Sequence, residues 1–263
     1  MTGTAAAHTV AADPMSVFLR FGQYSAVIGK TPCSRVPAMA LRAGVFRKGN
    51  CDEDPFDEDC LHGCVSTFSN QPLVAFRVRL IESASDLSNC YTGQHYDLSP
   101  LTDVLGPILE LGRFCQSDGP SDATALRLAW AALGVLVDRY DIRWMIGCSS
   151  FPGGNAARHQ AELAWLRAHH LGPEELRPKR RSSRCTNLPE TGTAPVHLPQ
   201  LLRSYLKMGG WVSDHAVRDP DLDTLHVFTG LAIDAIPEPR KARLRALARA
   251  AQPTPLDLAR AAP

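Results

Sequence analysis

The sequence lacks most of the signatures that place a protein quickly. No run approaches the ~18–20 consecutive apolar residues of a membrane-crossing helix. Net charge is only +1 over 263 residues. A globally basic nucleic-acid binder is therefore excluded, and only local charge patches remain. The eight cysteines contain no CxxC pair, and their scatter reads as reduced thiols, not a disulfide framework. GxGxxG, GxxxxGK[ST], GxSxG and HExxH are all missing. That disfavours a dinucleotide fold, a P-loop, a nucleophile elbow and a zinc-protease helix. The first fifteen residues have no basic segment leading into an apolar run, so a secretory signal is not expected and a cytoplasmic location is.

What is present suits a globular chain: 44% hydrophobic and 21% charged residues, enough to bury a full core. The reading divides it into a loose tail over 1–15, one domain over 16–238, and a basic C-terminal helix and tail over 239–263. Charge is clustered. Cys51–Cys60 (CDEDPFDEDC) carries six acids in ten residues. Arg177–Arg184 (RPKRRSSR) and Arg240–Arg249 (RKARLRALAR) each carry five bases. Such runs are usually solvated faces. The functional alternative is docking to nucleic acid, anionic lipid or an acidic carrier protein. Cys60, His62 and Cys64 have metal-ligand chemistry but no matching second cluster, so buried thiols and a satisfied core histidine are expected, with no metal.

Periodicity predicts a strand within Val17–Val27 and a helix over Ala38–Lys48 with Met39, Leu41, Val45 and Phe46 as its apolar set. Strands follow at Leu61–Thr67 and Leu73–Ile81. Residues 83–100 read as a polar loop. Ile108–Cys115 (ILELGRFC) reads as a strand whose Gly112 marks a bulge. A long helix, capped by Ser121, runs to Tyr140. Ile142–Cys148 is a strand, Ala156–His170 a helix, and 173–195 a variable loop. Leu198–Met208 is helical, Thr224–Ala232 a strand, and 239–251 a basic helix. This is a mixed α/β chain, a meander followed by strand–helix–strand units.

Several short runs then share one order: Ala40-Leu41-Arg42-x3-Phe46, Asp54-x-x-Asp57, Arg79, Glu110-Leu111-Gly112-Arg113, Gly147-Cys148-Ser149-Ser150-Phe151-Pro152-Gly153 and Leu206-Lys207-Met208-Gly209-Gly210. The combination resembles the bacterial ornithine acyl-ACP N-acyltransferases, relatives of the acyl-homoserine-lactone synthases. It spans about residues 38–232. The resemblance implies the GNAT fold, a mixed central sheet flanked by helices. It also implies transfer of a 3-hydroxyacyl chain from acyl-carrier protein to the α-amine of L-ornithine, giving lyso-ornithine lipid. The co-substrate would be a phosphopantetheine thioester, with no bound cofactor. The expected location is cytoplasmic, with peripheral contact to an anionic inner-membrane surface as the alternative, and no nucleic-acid partner is expected. Three departures stand out. Gly49-Asn50-Cys51 occupies a stretch where the related synthases carry Trp. Ser149 replaces the family's Ala. The acetyl-CoA signature is absent after the Ile108–Cys115 strand. Rival readings are another amino-acid N-acyltransferase, an autoinducer synthase, or a non-catalytic module that binds acidic partners or membrane.

Thioester aminolysis needs a neutral amine, donors for the carbonyl oxygen, and two reactants held together. Glu110 is the candidate base or amine holder, against a structural pair with Arg113. A bulge would bring 110 and 113 to one face and make the Gly112–Phe114 backbone an oxyanion site. Asp54 and Asp57 are substrate-binding candidates. Arg42, Arg79 and Arg113 either bind the substrate carboxylate or lock those aspartates. Phe46 is divided between core and pocket. Ser149 and Phe151 are expected in a loop at the ligand.

Overall fold

The computed structural model describes residues 15–104, 106–119, 122–191 and 197–251. The expected N-terminal tail up to residue 14, the Ser121 cap and the final dozen residues lie outside that range. In chain order the strands are β1 (Val17–Phe21), β2 (Tyr24–Gly29), β3 (Leu61–Thr67), β4 (Pro72–Ile81), β5 (Tyr96–Asp97), β6 (Ile108–Gln116), β7 (Trp144–Pro152), β8 (Lys179–Arg180), β9 (Cys185–Asn187), β10 (Trp211–Asp219) and β11 (Thr224–Ala232). The helices are α1 (Pro32–Arg47), α2 (Ala84–Asn89), α3 (Tyr91–His95), α4 (Ala123–Arg139), α5 (Gln160–His170), α6 (Gln200–Leu206) and α7 (Glu238–Ala250).

One nine-stranded sheet runs β1-β2-β3-β4-β6-β7-β11-β10-β9. Its neighbours are antiparallel except β6 and β7, which are parallel. Helices cover both faces. On one face α4 buries Leu128, Leu133 and Leu136 with Val65, Val74 and Phe76. On the other, Ala38 and Leu41 of α1 pack with Cys64, Ala75 and Cys115. Alternation along the strands assigns these sets to opposite sides. The mixed, helix-flanked sheet is the one expected.

The local differences have physical causes. The predicted first strand is a hairpin, because Gly22 takes φ +56° and turns the chain between β1 and β2. Helix α1 starts six residues early. Pro32 occupies the first turn, where a missing N–H costs nothing, and the helix continues through Pro37. Its buried face is Ser34, Ala38, Leu41 and Arg42, while Val45 is exposed. The cap of α4 is Asp122, whose carboxylate accepts from the N–H groups of Thr124 and Ala125. The polar stretch 83–100 is ordered into α2, α3 and β5. Strand β10 (WVSDHAVRD) was not anticipated, because Ser213, Asp214 and His215 interrupt its apolar pattern. Strand β7 runs to Pro152, so Ser149 and Phe151 are strand residues and not loop residues.

Candidate active site

Strands β6 and β7 pair only at Ile108–Trp144, Leu109–Met145 and Glu110–Ile146. Beyond that rung they part. Gly147 sits at the fork, where a Cβ would lie 2.3 Å from the carbonyl oxygen of Leu111. Only glycine lets the strands approach so closely there. The opening is a cleft of about 260 Å³ lined by Phe46, Tyr91, Leu111–Gln116, Cys148–Ser150, Pro199–Leu202 and neighbouring side chains. Residues of both splayed strands line this cleft, where a backbone N–H turned inward would suit a developing oxyanion.

The bulge is real and lies one residue later than predicted. Ala75 pairs with Cys115 and Arg77 with Gly112, so Arg113 and Phe114 together oppose Phe76. Arg113 takes φ +50°, a conformation that costs a non-glycine residue energy and marks functional positions. The extra residue turns Arg113 onto the side of Arg77. There it donates to Asp52 at 3.1 Å and Asp54 at 2.9 Å.

Glu110 stands at the last rung before the fork and is buried, 4% exposed. Its Oε1 accepts the backbone N–H of Thr92 at 2.6 Å. The expected alternative, a pair with Arg113, is not made; Arg113 is spent on the aspartates. Glu110 does not line the cleft itself. Cys148 does, and its Sγ lies 3.9 Å from the Thr92 hydroxyl. Burial, with Glu110 nearby, pushes the Cys148 thiol far above its ordinary value. A raised thiol pKa disfavours the thiolate, the form a nucleophile needs.

The acidic run is not a solvated face at Asp52 and Asp57. Arg42, fully buried, donates to Asp52 at 2.8 Å and to both oxygens of Asp57 at 2.7 and 3.0 Å. Arg77 bridges Asp54 at 2.5 Å and Asp57 at 2.8 Å. Burial raises the Asp57 carboxyl, but Arg42 and Arg77 outweigh it and hold the group well below the usual range. Asp52 is lowered likewise, against burial, by Arg113 and Arg42. Arg42 and Asp57 are thus a buried scaffold that fixes the loop after α1. Asp54, part-exposed, is the member nearest solvent.

Arg79 does not join them. It donates to the Asn89 carbonyl at 3.1 Å and lies 3.3 Å from Asp59. Arg77, two residues earlier on the same strand face, holds the predicted role. Phe46 lines the cleft with the Arg113 guanidinium 5.8 Å from its ring centroid. Ser149 lines it too, and its hydroxyl accepts from Thr229 at 2.8 Å. Phe151 belongs to the core with Leu163, Leu166 and Leu202. His62 is buried, with Nε2 at 3.2 Å from the Asp57 carbonyl, and burial lowers its pKa. It is a core histidine, but not the satisfied one expected, because its Nδ1 is buried without a hydrogen-bond partner. Burial pushes the Cys60 thiol up to about 12 and the Cys64 thiol to about 11.

Sequence reading missed a second polar group beside the cleft. Tyr91, which lines the cleft, donates to Asp219 at 2.8 Å. His95 packs on Tyr91, and His226 meets His95 edge-on at 4.7 Å. Burial lowers both imidazoles, His226 to about 3. These residues come from α3, β10 and β11, and no spacing in the sequence joins them.

The basic runs also resolve. Lys179–Arg184 is exposed. In α7, Leu244, Leu247 and Ala248 pack on the core instead of offering an apolar face to a bilayer, and Arg245 pairs with Asp138 at 2.8 Å. Among the described residues no helix is long and apolar enough to cross a membrane.

Against known proteins, residues 38–131 match a family model described as an acetyltransferase (GNAT) domain. The solved structure of FeeM, an N-acyl amino acid synthase from uncultured soil microbes, aligns with TM-score 0.48 and 9% identity over 87% of this chain and 98% of that one. An L-ornithine N(alpha)-acyltransferase of Rhodobacter capsulatus is 32% identical over 171 residues, covering 63% of this chain and 66% of that one. A protein of the same name from Brucella abortus is 27% identical over 208 residues, covering 70% and 71%. The matches thus span about two thirds of the length of these relatives. Residues 38–131 thus resemble a GNAT acetyltransferase domain, and the chain is similar to the L-ornithine Nα-acyltransferases over about two thirds of its length.

Proposed function

We propose that the protein transfers a 3-hydroxyacyl chain from acyl-carrier protein to the α-amine of L-ornithine, forming lyso-ornithine lipid. The observation that carries this reading is the fork between β6 and β7 at Glu110 and Ile146, with a bulge on one arm. A thioester laid along the fork presents its carbonyl to the backbone of the Gly112–Phe114 arm. The neutral α-amine attacks the carbonyl carbon, the C–N bond forms, and the C–S bond breaks. The phosphopantetheine sulfur leaves and ends as the thiol, taking up the proton that the amine gives up. Glu110, buried at the last rung before the fork, is the carboxylate assigned to relay that proton. No enzyme thioester is needed, in keeping with the raised pKa of Cys148.

The substrate assignment rests on the relatives' names, and the carrier-protein donor on two further features. The acetyl-CoA signature is missing after β6, and exposed bases at Lys179–Arg184 suit an acidic carrier. The same bases suit an anionic lipid surface, where a lipid product must go. A thiol-release assay with 3-hydroxyacyl-ACP and a panel of amino acids tests the reading. Ornithine-dependent release with an Nα-acyl product is expected. Release without amino acid, or a lactone product, would overturn it.

A further inference from the structure

We propose that His95, Asp219 and His226 bind one divalent metal ion of the zinc class, which braces the wall of the cleft. Their ligand atoms all lie within 4.8 Å of one another. Zinc–nitrogen and zinc–oxygen bonds are about 2.0–2.2 Å, which puts ligand atoms around one tetrahedral ion about 3.4 Å apart, so the three side chains must draw together by up to about 1.4 Å to close on it. Nitrogen and carboxylate donors of this mixture favour zinc or its neighbours over calcium or magnesium.

A second, independent observation points to the missing cation. His226 is 1% exposed; its Nδ1 lies 3.2 Å from the Tyr96 hydroxyl, and its Nε2 has no hydrogen-bond partner. A buried ring nitrogen without a partner is costly to keep. Asp219 is 4% exposed, and its oxygens accept the Tyr91 hydroxyl at 2.8 Å and the Asp221 N–H at 2.9 Å. Among the described residues, no lysine or arginine forms an ion pair with it. A buried carboxylate without a cation, beside an imidazole with an unused lone pair, is a donor set that one divalent ion completes. Tyr91 on Asp219 and Tyr96 on His226 are the outer hydrogen bonds that orient metal ligands.

The position gives the ion its role. His95 ends α3, the helix whose Thr92 N–H holds Glu110 and whose Tyr91 lines the cleft. Asp219 ends β10 and His226 sits in β11. One ion joins this short helix to the rigid sheet, and three protein ligands leave a position for water. Neither the acyl donor nor the amino acid enters the argument, so the site stands or falls separately from the proposed reaction.

The test is titration of chelator-stripped, full-length protein with Zn²⁺ by calorimetry and with Co²⁺ by visible absorption. One ion per chain is expected, with a cobalt spectrum of nitrogen and oxygen ligands and no thiolate charge-transfer band. Zn²⁺ should raise the melting temperature. His95→Ala and Asp219→Asn should each abolish that rise and weaken binding at least ~10-fold, and Tyr91→Phe should weaken it about 10–100-fold. His226 is fully packed and its loss can unfold the chain, so half-buried His95 carries the decisive comparison. No saturable binding, binding unchanged in His95→Ala and Asp219→Asn, or a strong thiolate band would overturn the proposal.

Discussion

The backbone N–H of Thr92 donates to Oε1 of Glu110 at 2.6 Å, and both partners are buried. That bond ties a short helix, invisible to periodicity, to the strand residue at the last rung before the fork. It also fixes what a substitution does. Glu110→Gln keeps an acceptor for Thr92 and removes only the base, so melting should change little while turnover drops about 10²–10⁴-fold. Steady-state kinetics beside thermal melting checks this. Near-normal turnover at pH 7–8 removes Glu110 from the mechanism.

Asp57 sits between Arg42 and Arg77, fully buried. Removing Asp57 leaves Arg42 only Asp52 and Arg77 only Asp54, an excess of buried positive charge; a wholly uncompensated buried charge costs about 3–5 kcal/mol, which is the upper bound here. Asp57→Asn should therefore lower the melting temperature far more than it raises KM. Asp54, at the edge of the same network, should do the reverse: a modest loss of stability and a higher KM for the amino acid. Equal effects from the two variants would mean that the network has no inner and outer member.

Acid stability follows from the same pair. The Asp57 carboxyl is held below its unfolded value of about 3.9. The unfolded chain thus binds the proton first. The stabilisation is complete above about pH 5 and drains away as pH falls below about 4 toward the lower folded value. Wild type and Asp57→Asn should differ widely in melting at pH 7 and converge on acidification. Parallel curves down to pH 3 would contradict the buried ion-pair account.

Much of this architecture was legible because it obeys simple periods. The β3–β4 hairpin, the β6 strand and the α4 helix follow alternation or helical spacing, and the Gly112 irregularity announced a bulge. Other features were hidden for physical reasons. The bulged residue is Arg113 because the extra residue opposes Phe76, which only the register of β4 reveals. Arg77 and Arg79 share a strand face, so sequence could not tell which one meets the aspartates. Phe151 continues the strand into the core and is not at a ligand loop. His95, Asp219 and His226 converge through tertiary packing alone.

The basic segments make a separable prediction. Reversing Lys179, Arg180 and Arg181 to Glu should weaken use of acyl-ACP at low ionic strength, and the deficit should shrink as salt screens the charges. The second segment is best tested by reversing Arg240, Arg243 and Arg249, since deleting α7 would uncover the core under Leu244 and Leu247. Liposome binding of that variant at low salt should fall by about 1 kcal/mol per lost base. Unchanged kinetics and unchanged liposome binding would leave both runs as solvated faces.

The central claim is that the fork between β6 and β7 joins an acyl thioester to an α-amine. The most direct measurement is mass analysis of the product from 3-hydroxyacyl-ACP with ornithine, using wild type and Glu110→Gln side by side. The account predicts one thiol released per Nα-acylornithine formed, and a sharply reduced rate in the variant. No amide product, or acylation at the side-chain amine, would contradict it.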